Sequence, residues 1–276
     1  MFMMNKNVRL VFATTFIFIL IACSRQPYHT TNKEYKKQAK ELTRQLQKLP
    51  ALDSVFPATW PVGTVNFNLR KPNFVIIHHT AQNSCDQTLK TFTNKATQVS
   101  SHYVICKDGT LHQMLNDYLR AWHGGVARWG GLTDINSASI GIEIDNNGFE
   151  AFTEQQLASL LYLLGKLKKE YNIPAANFIG HSDIAPKRKV DPNVHFPWKR
   201  LAENGFGIWY DENADVTVPA DFNNMQALRL IGYDVRDSSA AIMAFKRRFL
   251  SVDKDSLITP ADQKVLWQLA QKSLQN

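Results

Sequence analysis

Eight histidines, His29, His78, His79, His102, His112, His123, His181 and His195, are the side chains of this 276-residue protein best suited to hold a metal or move a proton near neutral pH. A catalytic zinc takes three protein ligands, usually histidine with a carboxylate or cysteine, and keeps a fourth position for water, which suits hydrolysis. Composition alone cannot choose such a set from eight candidates. Position helps, because a metal needs its ligands held to fractions of an ångström and strand ends hold them better than mobile loops. His78 and His181 both end apolar runs, Phe74-Val75-Ile76-Ile77 and Phe178-Ile179 followed by Gly180. Asp191, in Lys189-Val190-Asp191-Pro192, can supply an anionic third ligand from the loop beyond His181. Other histidine pairs stay open, since structural histidines with satisfied nitrogens are common. His79 follows His78 within a strand, so its side chain should point to the opposite face and pack or support rather than share the ion.

The elements that must carry these groups alternate between strand and helix. Phe74-Val75-Ile76-Ile77, after Lys71-Pro72-Asn73, reads as a buried strand. Asp86 can cap a helix through about Ala96. His102-Tyr103-Val104-Ile105-Cys106, then Lys107-Asp108-Gly109-Thr110, predicts a strand entering a hairpin turn, with residues 111–114 as its partner. Ser139-Ile140-Gly141-Ile142-Glu143-Ile144 is another strand, and its Glu143 has apolar neighbours. Thr153 and Gln156 form a capping box ahead of Leu157, Leu160, Leu161, Leu164 and Leu167 at helical spacing, ended by Asn172 and Pro174. This order implies an α/β domain: a central mixed sheet flanked by helices, with functional groups on loops at one edge. Residues 201–218 read as a linker, and helical patterns over 221–231, 238–250 and 260–273, the last opened by Thr259-Pro260, predict a small C-terminal three-helix module.

At the start, Lys6 and Arg9 precede an uncharged, mostly apolar run over residues 10–22, and Cys23 follows. The run is shorter than the roughly 20 residues a bilayer span requires, so it reads as a secretory signal. Leu20-Ile21-Ala22-Cys23 resembles the bacterial lipoprotein signal, which makes Cys23 the lipidation site and membrane anchor; Ser24 after it resembles the class sorted to the outer membrane of a Gram-negative host, facing the periplasm. Residues 24–31 then serve as a tether and 32–48 as a polar helix. With Cys23 lipidated, Cys85 and Cys106 are an even pair in an oxidising compartment, where a disulfide can form and two buried free thiols are the common alternative. The formal charge of +8 falls by two without Lys6 and Arg9 and still suits an acidic polymer or membrane face. No nucleic-acid module is recognisable, and basic residues form only short runs such as Lys187-Arg188-Lys189.

Four segments, Ile77-His78-His79-Thr80-Ala81, Arg120-Ala121-Trp122-His123-Gly124-Gly125, Ser139-Ile140-Gly141-Ile142-Glu143, and Gly180-His181-Ser182-Asp183-Ile184-Ala185-Pro186 continuing to Asp191-Pro192, together resemble the type 2 N-acetylmuramoyl-L-alanine amidases in order and spacing over about residues 60–200. The resemblance implies that His78, His181 and Asp191 bind one Zn2+ per chain, that Glu143 is the general base or acid, and that Lys189 is the cation facing the developing oxyanion. It implies hydrolysis of the amide between N-acetylmuramic acid and L-alanine in peptidoglycan or muropeptides. His102, Trp122 and His123 match positions near the cleft, for substrate contact or support of the ligands, with structural packing the competing role; Trp122 and Trp129 could stack on sugars. Some relatives have a tyrosine where this chain has Ser101, so the route through Glu143 is the one expected.

The implied organisation is a signal peptide over 1–22, tether and helix over 23–58, a zinc domain over 59–200, the linker over 201–218, and a peptidoglycan-binding-like helical domain over 219–276. Leu228-Arg229-Leu230-Ile231-Gly232-Tyr233 and Ala244-Phe245-Lys246-Arg247-Arg248-Phe249 carry the last of these resemblances. Two other readings are a peptidoglycan-recognition protein that binds without cutting, against which Asp191 speaks, and a zinc peptidase acting within the stem peptide. No protein partner is inferable.

Overall fold

The computed structural model describes residues 27–48 and 64–275. The residues up to Phe67 and those from Asn68 onward form two units. In the first, His29–Leu46 is a helix with none of its residues buried.

Five strands form one mixed sheet: β1 Phe74–His79, β2 Tyr103–Ile105, β3 Leu111–Gln113, β4 Ser139–Ile144 and β5 Phe178–Gly180. Their spatial order is β3-β2-β4-β1-β5. The β1–β4, β1–β5 and β2–β4 pairs are parallel and the β2–β3 hairpin antiparallel. The hairpin turns at Gly109, whose φ of +84° suits a residue without Cβ.

Strand alternation divides the sheet into two different faces. Val75, Ile77, Tyr103, Ile105, Ile140, Ile142 and Ile144 join an apolar cluster with the inward residues of the Glu154–Tyr171 helix. Leu160, Leu164 and Leu167 of that helix are fully buried, each contributing about 1.5–3 kcal/mol relative to exposure. Its capping box, Thr153 with Gln156, is formed as the sequence predicts and adds about 1 kcal/mol, so packing rather than capping dominates. Ile76 belongs instead to a second cluster with Ile135, Ile179 and Ile184, and the alternation puts His78, Gly141 and Glu143 on that side.

Two local expectations shift. The helix predicted from Asp86 to about Ala96 spans Cys85–Thr93, and Ser84 caps it by accepting from Gln87 N–H. Asp86 lies in its first turn, where a carboxylate favours the helix dipole. The stretch 201–218 is not wholly a free connection: the Trp198–Glu203 helix crosses its start, Leu201 is fully buried and Phe206 packs into the sheet cluster, because two apolar residues there have a core within reach. Asn224–Ile231, Ser238–Leu250 and Pro260–Ser273 are helices with their own apolar cluster, and Thr259 caps the last with Pro260 in its first turn. Cys85 and Cys106 are joined as a disulfide.

Candidate active site

β1 and β4 run in register with His78 opposite Glu143, so the sheet presents both side chains on one face at its carboxyl end. β5 ends at Gly180, and the short His181–Ile184 helix starts there, delivering His181 beside His78. Asp191 arrives from the following loop, held where its carbonyl accepts from Ser182 N–H at 2.7 Å.

Three atoms converge. His78 Nδ1 lies 2.9 Å from His181 Nδ1 and 3.1 Å from Asp191 Oδ2, and His181 Nδ1 lies 3.0 Å from the same oxygen. All three residues are buried. Their remaining nitrogens decide what faces inward. His181 Nε2 is 3.1 Å from the Gly124 carbonyl, which only accepts, so that nitrogen carries the proton and a neutral His181 turns a bare lone pair to the centre. His78 Nε2 lies 3.1 Å from His123 Nδ1, His123 Nε2 lies 3.2 Å from Ser139 Oγ, and that hydroxyl donates to the Ile135 carbonyl at 2.7 Å. With the Ser139 proton given to Ile135, each upstream link donates in the same direction, leaving His78 Nδ1 bare as well.

Burial, aided by the neighbouring His181, lowers His78 from 6.5 to about 4. Two lone pairs and a carboxylate oxygen about 3 Å apart repel one another unless a cation lies among them. Zinc ligand distances of about 2.0–2.2 Å in tetrahedral array separate donor atoms by about 3.3–3.6 Å, a few tenths of an ångström more than here. The donor set fits zinc, and these residues are a group able to hold a metal.

Glu143 completes the arrangement. Its Oε1 is 4.0 Å from His78 Nδ1, while its buried Oε2 has no hydrogen-bond partner among the described residues. Burial and the Asp191 charge push this carboxyl well above its ordinary range, against the pull of Lys189. A divalent cation at the triad would draw it back down. Lys189 is partly exposed, and its charge also bears on His78 and His79.

The remaining expected residues separate clearly. His123 stands behind His78 as its hydrogen-bond acceptor and is buried, so it fixes the orientation of the His78 ring. Its ring occupies the place of a side chain at Gly141, where a Cβ would fall 2.5 Å from His123 Cγ. His102 does not reach the centre: Nε2 donates to the Leu119 carbonyl and Nδ1 accepts from Gly141 N–H, so both nitrogens are committed to backbone. Trp122 is 54% exposed next to His123, open to a ligand, whereas Trp129 packs edge-on against Tyr233. His79 takes the opposite face, accepting from Asn193 N–H just beyond Asp191. Ser101 donates to the Gly141 carbonyl within the sheet. Cys23 lies outside the described residues.

Sequence reasoning missed Ser139, the Gly124 carbonyl and Arg188, which it counted in a short basic run but which donates to the Gly124 and Val126 carbonyls. One signal was available: a glycine inside an apolar strand, Gly141, marks a close approach by another group.

The family model for N-acetylmuramoyl-L-alanine amidase matches residues 68–194. N-acetylmuramoyl-L-alanine amidase AmiD of Escherichia coli is 34% identical over 206 residues, 63% of this chain and 74% of that protein. The 1,6-anhydro-N-acetylmuramyl-L-alanine amidase AmpD of Haemophilus influenzae is 39% identical over 104 residues, 37% of this chain and 56% of that protein. Among solved structures, E. coli AmiD in complex with the substrate anhydro-N-acetylmuramic acid-L-Ala-D-gamma-Glu-L-Lys superimposes with a TM-score of 0.66 at 28% identity, over 82% of this chain and 98% of AmiD. AmpDh3 of Pseudomonas aeruginosa gives 0.67 at 26% identity, over 81% and 99%. With 34% identity to AmiD reaching across 74% of that enzyme and its fold matched over 82% of this chain, this chain belongs to the type 2 N-acetylmuramoyl-L-alanine amidase family.

Proposed function

We propose that this chain hydrolyses the amide between the lactyl group of N-acetylmuramic acid and L-alanine, in peptidoglycan or in muropeptides derived from it, with zinc held by His78, His181 and Asp191. The observation that carries this reading is the buried Glu143 Oε2, without a hydrogen-bond partner among the described residues, beside the convergent donor atoms of His78, His181 and Asp191. Zinc bound there supplies Lewis acidity, polarising the amide carbonyl and making a nucleophile available from water near neutral pH. Glu143 accepts the proton from the attacking water and returns it to the departing alanine nitrogen, so the amine leaves neutral. Lys189 brings positive charge to the oxygen on which negative charge develops. His123 and Ser139 hold the His78 ring in the tautomer that leaves Nδ1 free, and the Gly124 carbonyl does the same for His181.

The test is digestion of purified sacculi and of anhydro-muropeptides by residues 24–276, with and without chelator, read by mass spectrometry. A new L-alanine amino terminus that disappears with chelator is expected. Cleavage inside the stem peptide, or binding with no cleavage, would overturn the assignment.

We further propose that Cys23 is lipidated and that the protein sits on the outer membrane, facing the periplasm of a Gram-negative host; Lys6, Arg9, the apolar run over 10–22 and Ser24 support this. Cys23→Ser should release the chain from membranes on fractionation. For residues 219–276 we propose a wall-binding role. Lys246 and Arg247 in that region are buried and paired with Asp255 and Asp253, so contact with the wall falls to other side chains.

A further inference from the structure

The turn between the Asn224–Ile231 and Ser238–Leu250 helices is directed at the loops that carry the candidate metal centre. Gly232 accepts from Gly130 N–H at 2.7 Å, and its backbone lies so close to Trp129 that a Cβ would come within 2.4 Å of the indole. Its φ of +129° also disfavours any other residue. Tyr233, 2% exposed, donates its hydroxyl proton to Asp183 Oδ1 at 2.7 Å. From the next helix Arg248, 3% exposed, donates to Asp183 Oδ2 at 2.5 Å and to the Phe178 carbonyl at 3.0 Å. Its guanidinium lies 4.2 Å from the centre of the Trp198 ring.

Asp183 stands two residues after His181, is fully buried, and accepts from Gly180 N–H at 2.7 Å. It therefore closes the turn on which His181 is mounted. The Trp129 segment continues from Gly124, whose carbonyl receives the His181 ring proton. Both the backbone bearing His181 and the acceptor behind its ring are thus tied to one helical turn and one arginine. The segments read from sequence as the mark of a wall-binding module turn polar groups toward the catalytic sheet.

We propose that Gly232, Tyr233 and Arg248 are positioning residues for His181, so that the C-terminal helices set the geometry of the metal centre in addition to any contact with the wall. The inference rests on the reading of His78, His181 and Asp191 as zinc ligands. Its physical basis is that a buried, hydrogen-bonded ion pair has one favourable geometry, and a tilt of the His181 turn moves Nδ1 off the point where the other two donors meet. Groups that orient metal ligands this way typically change affinity by about 10–100-fold when altered.

The full chain separates this role from plain stabilisation. Tyr233→Phe removes one hydrogen bond with little change of shape, Arg248→Lys keeps the charge and loses the fork, and Leu266→Ala opens a cavity in the helical cluster. Zinc affinity is measured by competition with a chromophoric chelator, alongside melting temperature and kcat and KM on an anhydro-muropeptide. Tyr233→Phe and Arg248→Lys are expected to weaken zinc binding about tenfold or more and lower kcat, with KM held within about twofold, while Leu266→Ala lowers the melting temperature and keeps zinc affinity. Wild-type zinc affinity in both Tyr233→Phe and Arg248→Lys would overturn the proposal, as would affinity losses in all three that simply follow melting temperature. A wild-type chain that binds no zinc would remove the metal reading itself, a failure visible before any variant is made.

Discussion

Glu143 and Asp183 are two buried carboxylates at the same end of one sheet, and their surroundings are opposite. Asp183 accepts from Gly180 N–H, the Tyr233 hydroxyl and the Arg248 guanidinium. Glu143 keeps one oxygen without a partner among the described residues and faces a second acid, Asp191. A native fold satisfies a buried carboxylate that serves structure, because an unpaired one is expensive to keep. Asp145, just after β4, also keeps one oxygen open among the described residues, so the open oxygen of Glu143 points to chemistry only together with the convergent donors beside it.

Glu143→Gln tests the reactive half of this contrast and should have the largest effect. Turnover should fall by about 10²–10⁴-fold, zinc content should stay at one per chain, and the melting temperature should hold, since the amide keeps the shape of the side chain. Full activity in that variant would hand the proton transfer to another group. Asp183→Asn tests the structural half: it leaves Arg248 buried without its counter-charge and should cost about 3–5 kcal/mol by denaturant unfolding. A loss near zero would mean that water already pays the role of a partner there.

Smaller effects sharpen the picture around the ligands. His123→Ala takes away the acceptor of the His78 ring and should weaken zinc binding by about 10–100-fold, measured by chelator competition, with the sheet intact. Smallest is a pH effect on the metal-free protein. Burial holds His102 below its usual 6.5, outweighing the upward pull of the Leu119 carbonyl and Asp117. The unfolded chain therefore binds that proton first, so this contribution to stability is complete above pH 6.5 and is lost as pH falls toward the lowered folded value. Thermal melts from pH 8 down to about 5, in chelator, should show the decline, and His102→Gln should lessen it without abolishing it, because burial also lowers His78, His79 and His123.

Much of the site was legible because short-range rules act there. The runs before His78 and His181 had to be buried strands, and a strand end is where a buried run meets a loop. The alternation that put His79 on the other face of β1 follows from the same rule and agrees with its contact to Asn193. His102 was not legible in this way: a histidine next to a strand looks alike whether its nitrogens meet a metal or, as here, the Leu119 carbonyl and Gly141 N–H. The Cys85–Cys106 bond was equally open until helix and strand were placed side by side.

What the sequence determined by itself was local: which runs are strands, that Thr153 and Thr259 begin helices, and which side chains can hold zinc or move a proton. Such properties depend on backbone stereochemistry, on alternation and on the chemistry of single residues. The tertiary structure alone decided which donors meet. His78 and His181 are 103 residues apart and Asp183 and Arg248 are 65 apart, and only the packing of strands and helices brings each pair within hydrogen-bond distance. It also decided which buried charges are paired, because satisfaction of a carboxylate is a property of its three-dimensional neighbours and leaves no mark in the residues beside it.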